Sequence, residues 1–142
     1  MKSFKKQLAS VALGVLSLLS ACDSPELAQI DAPLVGTWQL DAVTYGLTGI
    51  TVRGDSLPFT ESREYTTEGT FTIKHEERMI ETGTFYTGRN STGLLYQEAV
   101  YYPQDTTYQA YEVSSEGRLY LYERSAQGAV LADGATYEYK RQ

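Results

Sequence analysis

Cysteine and histidine are each present once, as Cys22 and His75. The lone cysteine excludes an intramolecular disulfide. The lone histidine, followed by Glu76 and Glu77, falls short of the convergent ligands that a metal centre needs; it reads as part of a solvated turn. No strand-turn-helix nucleophile elbow supports a serine triad built on it. The chain also lacks a phosphate-cradling glycine loop and a dinucleotide fingerprint. Acid pairs such as Glu61/Glu64 and Glu76/Glu77 show no two carboxylates facing each other across a cleft, the arrangement glycoside chemistry requires, and they read as surface charge. No enzyme, no cofactor and no metal is expected.

Long apolar runs are missing too. Residues 8–21 carry no charge, but they number only 14, short of the roughly 20 that a helical membrane span needs. Before them stand Lys2, Lys5 and Lys6, and after them come the small residues Ser20 and Ala21. A positive start, a short apolar core and a small-residue exit are the marks of an export signal. Leu19-Ser20-Ala21-Cys22 resembles the lipobox of bacterial lipoproteins. That resemblance implies cleavage before Cys22, a diacylglyceryl group on its thiol and further acylation, palmitate being a typical chain. More than one chain is needed because a single one binds a membrane only marginally. Asp23 resembles an inner-membrane retention signal of some bacteria; the outer membrane, on its periplasmic or surface face, is the favoured address.

Loss of residues 1–21 leaves 121 residues, nine basic against 18 acidic, with a net charge of −9. That balance disfavours nucleic acid and anionic head groups as partners. The size suits one modest domain. Residues 22–33 hold two prolines and three acids and read as a flexible, lipid-anchored tether. The folded domain is expected over residues 34–142.

In that domain apolar residues do not recur at helical spacing. Twelve tyrosines, with many Thr and Val residues, favour pleated surfaces instead. Alternation recurs at Trp38/Leu40/Ala42, Phe71/Ile73, Leu95/Ala99/Tyr101, Tyr108/Ala110, Leu119/Leu121 and Tyr137/Tyr139, with turn residues between the blocks. The pattern predicts strands at 35–45, 60–67, 69–75, 80–87, 94–102, 107–114, 118–124 and 135–141. Eight antiparallel strands joined by short turns make an all-β, up-and-down barrel, the size at which a meander closes on itself. Residues 46–59 are read as a loop between the first two strands, either a lid across one mouth or a segment packed outside.

Leu34-Val35-Gly36-Thr37-Trp38 places a Gly-x-Trp at the start of the first strand. Together with Glu68-Gly69-Thr70-Phe71 and Thr82-Gly83-Thr84-Phe85, it resembles bacterial lipocalin-like lipoproteins over residues 34–142. The resemblance implies a barrel whose floor is made by Gly36 and Trp38, with an arginine from a late strand over the indole. Arg124 and Arg141 are the candidates, and Arg141 is preferred because the last strand pairs with the first. The family disulfide and C-terminal helix have no counterpart here.

Tyrosine joins an apolar ring to a polar tip, which suits a cavity for amphipathic ligands as well as ordinary cross-strand pairs. Tyr96, Tyr108, Tyr111 and Tyr120 are the candidate lining residues. Two functions follow. One is a membrane-anchored, monomeric lipoprotein of the bacterial cell envelope that binds a small apolar or amphipathic ligand. The other is a non-catalytic envelope lipoprotein with a solid barrel that binds a protein partner. A filled core with no pocket would overturn the first; an exposed aromatic patch with a packed interior favours the second.

Overall fold

A computed structural model describes residues 29–90, 97–129, 131 and 133–142. The export signal, Cys22 and Tyr96 therefore lie outside the described residues. The described strands are β1 (Gly36–Thr44), β2 (Thr51–Arg53), β3 (Glu61–Tyr65), β4 (Thr70–His75), β5 (Arg78–Thr84), β6 (Tyr86–Asn90), β7 (Gln97–Tyr102), β8 (Thr107–Val113), β9 (Arg118–Tyr122), β10 (Ser125–Ala126) and β11 (Thr136–Arg141). Every pairing is antiparallel.

The main sheet runs β5-β4-β3-β1-β11-β9-β8-β7-β6. Its two ends are consecutive in the chain, with Phe85 alone between β5 and β6. One bent strand thus pairs with β4 through its first half and with β7 through its second. Counting that strand once gives eight, and the sheet curls into the expected up-and-down barrel. Its hairpins are short for local reasons. The turns at Thr66–Thr70 and Ser114–Arg118 close on backbone hydrogen bonds of 2.9 and 2.8 Å. Each places a glycine, Gly69 (φ +78) or Gly117 (φ +76), where the chain turns left-handed.

The register defines two ends. At one, Trp38 pairs with Arg141 and Gly36 with Tyr65; this is the floor. At the other, Thr44 pairs with Thr136, and Thr136 with Tyr122; this is the mouth. The apolar core fills the lumen above the floor. Trp38, Tyr65, Phe71, Tyr102, Leu119, Leu121 and Tyr139 are all fully buried.

Four places differ from expectation, the first being β10, which pairs with β8 at residues read as a turn. The loop expected at 46–59 contains β2, which pairs Ala42, Val43 and Thr44 with Arg53, Val52 and Thr51; Val52 alone gives too little alternation to show this in sequence. The expected strand 80–87 begins at Arg78, breaks at Phe85 and runs on to Asn90. Residues 29–33, expected as tether, pack on the barrel. The Gln29 carbonyl accepts from the Thr87 amide at 2.7 Å, and Pro33 helps to open a 3-10 turn at Ala32–Leu34, a use of proline at a turn start rather than in a tether.

Candidate functional site

Strand β3 carries the residues of greatest interest. The alternation of its side chains puts Glu61, Arg63 and Tyr65 on one face, and that face is the lumen: the three are 5%, 8% and 1% exposed. A charged pair is thereby carried into the barrel interior, close to the mouth. Arg63 Nε donates to Glu61 Oε1 at 2.6 Å, and its Nη1 donates to Gln109 Oε1 at 2.9 Å. Tyr139 donates to Glu61 Oε1, and His75 Nε2 lies against Glu61 Oε2, both at 2.5 Å. Tyr102 donates to Gln109 Oε1 at 3.0 Å, which leaves its oxygen to accept from Tyr65 at 2.9 Å. Gln109 Nε2 finishes the chain on the Tyr122 carbonyl at 2.9 Å. Five strands contribute side chains, and among the described residues no buried side-chain polar atom lacks a partner.

Burial works against ionised Glu61. The charge of Arg63 and the donors Tyr139, Arg63 and His75 outweigh it, holding the carboxyl below the usual carboxylate range. Burial pushes the Tyr139 and Tyr102 hydroxyls well up, so both stay protonated as donors. The folded state therefore binds the Glu61 proton less tightly than the unfolded chain does. This contribution to stability is present above an unfolded carboxyl value of about 4.3 and is lost as pH falls through the lower folded value. Urea unfolding at a series of acid pH values should show the midpoint falling over that window, and Glu61→Gln should flatten the fall. An acid limb identical in the variant contradicts the assignment.

The mouth is covered by the segment after β2. Leu57 and Phe59 pack, partly buried, on the core. The Phe59 ring stacks on His75 with centroids 4.8 Å apart. Two hydrogen bonds fasten Thr60 to Glu76: the Thr60 amide to Glu76 Oε1 at 2.9 Å, and the Glu76 amide to the Thr60 carbonyl at 3.1 Å. His75 is thus a half-buried member of the polar chain rather than a solvated turn residue. Glu61 is likewise interior, not surface charge, whereas Glu64 on the opposite face is exposed as expected; the two carboxylates do not face each other.

At the floor, Arg141 lies over the Trp38 ring, 4.2 Å from its centroid. Its Nη1 and Nη2 donate to the carbonyls of Val35 and Pro33, both at 2.9 Å, and Trp38 Nε1 donates to the Leu34 carbonyl at 2.8 Å. Gly36 has φ +139, and any Cβ there would run into the Arg141 guanidinium. The structure brings Gly36, Trp38 and Arg141 into one cluster. Arg124, the other candidate, stands near the mouth with its guanidinium 4.0 Å from the Tyr102 ring.

The tyrosines proposed from sequence separate. Tyr111 is buried in the core and donates to Asp31 Oδ2 at 2.7 Å. Tyr108 lies on the outer face, stacked with Tyr101, and donates to the Ala129 carbonyl at 2.6 Å. Tyr120 stands between the inward Leu119 and Leu121 and so points outward. Tyr65, Tyr102 and Tyr139, which sequence reasoning did not single out, are the tyrosines of the polar chain. A separate open groove of about 350 Å³ is lined by Tyr111 together with Asp31, Glu98, Glu112 and Val113. No three potential ligands for a metal ion cluster among the described residues.

Fold and site together define a small antiparallel up-and-down β-barrel with a closed floor and a buried polar chain beneath a covered mouth. No protein family and no curated protein matches the chain. Among solved structures it is similar to wild-type fluorescent protein UnaG, at 14% identity over 77% of this chain and 97% of that one, with a TM-score of 0.37. A likeness that loose adds nothing to what the strand path itself shows.

Proposed function

We propose that this chain is a non-catalytic binding protein of the bacterial cell envelope, lipid-anchored through Cys22, that takes a small amphipathic ligand at the mouth of its barrel. The observation that carries this reading is the charged chain Glu61–Arg63–Gln109 in the lumen, beneath Leu57 and Phe59. Buried ion pairs contribute little to stability compared with well-packed hydrocarbon. The place of this pair next to the opening suits recognition of a ligand's polar end. The polar end of a ligand would meet His75 and Arg63, and its apolar part would displace Phe59 and Leu57. Trp38, Phe71 and Leu119 fill the lower lumen, so a ligand would make its room at the mouth by displacing Phe59 and Leu57.

The test has two arms. Titration of the full chain with a fluorescent fatty acid should saturate at one equivalent, and Phe59→Ala should change the affinity; no saturable binding removes the ligand reading. Cys22→Ser should move the protein from the membrane to the soluble fraction, and an unchanged membrane fraction removes the anchor.

A second reading is favoured by a different observation. Tyr45, Leu47, Ile50, Met79, Ile80 and Leu131 are exposed large apolar side chains on mouth-end segments. Leu47 is 82% exposed. Such a gathering suits an envelope protein partner, and a barrel that binds no small molecule would bind through this end.

A further inference from the structure

The barrel wall has a seam. Along the mouth half, β5 pairs only with β4, from Thr70↔Thr84 to His75↔Arg78, while β7 pairs with β6 and β8. Among the described residues no ladder joins β5 to β7. Side chains hold the two together instead. Arg124 Nη1 donates to both oxygens of Glu81 on β5, at 2.9 and 3.0 Å. Its Nη2 donates to Asp105 in the β7–β8 turn at 2.7 Å, and its Nε to Thr107 Oγ1 on β8 at 2.6 Å. The guanidinium lies over Tyr102 of β7. Beside it Gly83 lets β5 approach the turn closely: a Cβ there would sit 2.8 Å from Gln104 Nε2.

We infer that this seam is the entry route for the amphipathic ligand, and that Arg124 is its latch. The inference rests on the ligand reading above. A ladder opens only by losing a row of backbone hydrogen bonds, whereas this seam is closed by the side-chain bonds of Arg124 and, behind them, by the edge contact of Phe71 with Tyr102, ring centroids 4.8 Å apart. Directly behind the latch stands Tyr102, whose hydroxyl belongs to the buried chain leading through Gln109 to Arg63. Outside it, near the mouth end of β5, Met79 and Ile80 are 63% and 52% exposed, an apolar lip on which a ligand's hydrocarbon can rest before entry. The latch pair is partly open to water, with Arg124 21% and Glu81 33% exposed, so it can separate without leaving a charge buried and unpaired.

A latch and a ligand contact differ in kinetics. A latch sets how often the route is open, so weakening it raises association and dissociation rates together; removing a contact raises dissociation alone. Stopped-flow binding of cis-parinaric acid, an intrinsically fluorescent fatty acid, to the full chain separates the two. Arg124→Gln should raise both rate constants by a common factor on the order of 10, with little change in affinity. Glu81→Gln, which keeps the bonds of Arg124 to Asp105 and Thr107 and guards against a folding defect in the first variant, should raise both by a smaller common factor. Association rates unchanged in both variants, or a rise in dissociation alone, overturn the latch while leaving the ligand reading intact. Failure of the unaltered protein to bind the probe overturns the ligand reading, and the latch with it.

Discussion

Arg63→Met is expected to destabilise the barrel by about 3–5 kcal/mol, the cost of leaving one member of a buried ion pair without its partner. Glu61 would remain 5% exposed with Tyr139 and His75 as donors and no guanidinium beside it. Gln109 Oε1 would keep only Tyr102 as a donor. The double variant Glu61→Gln/Arg63→Met removes the stranded charge and should recover a large part of the loss. Urea unfolding of the single and double variants measures both effects. A single variant within about 1 kcal/mol of the original, the range of an exposed pair, contradicts the placement of Arg63 in the lumen.

Trp38→Ala should cost a similar amount, about 3–5 kcal/mol for a large aromatic deleted from a packed core. The indole is fully buried, holds the Leu34 carbonyl and supports the Arg141 guanidinium. Its removal undoes the floor at three points, and residues 29–34 should loosen with it. Circular dichroism during denaturation reads the stability, since the variant loses the chain's only tryptophan. Hydrogen exchange reads the floor: amides of residues 34–37 should lose protection ahead of those in β9. A variant that keeps its midpoint, or loses protection evenly, contradicts the floor as a clasp built on Trp38.

Most of the barrel was legible because its strands alternate between side chains of clearly different character. Leu119 and Leu121 flank Tyr120, and the period alone puts them inside. The floor was legible for another reason: a first strand must meet a last, so Arg141 had to arrive near Trp38. The polar chain was not legible. Strand β3 reads Glu-Ser-Arg-Glu-Tyr, and both of its faces look fit for water. Only the burial of Tyr65 tells which face turns inward, carrying Glu61 and Arg63 with it. Strand β8 hides its faces differently, since Tyr108, Gln109, Ala110 and Tyr111 are all buried. The lumen takes Gln109 and Tyr111, while Tyr108 on the outer face is covered by Tyr101 and the segment through Ala129. The break at Phe85 was hidden as well, because a bent strand keeps the alternation of a straight one.

The most direct test of the account is native mass spectrometry of the full protein, purified gently from the cells that make it. A reproducible added mass below that of any protein, lost on denaturation and lost from Arg63→Gln, is the predicted result. A protein that carries no small molecule, and binds none when fatty acids or other amphiphiles are supplied, contradicts the account and turns the apolar mouth rim toward a protein partner.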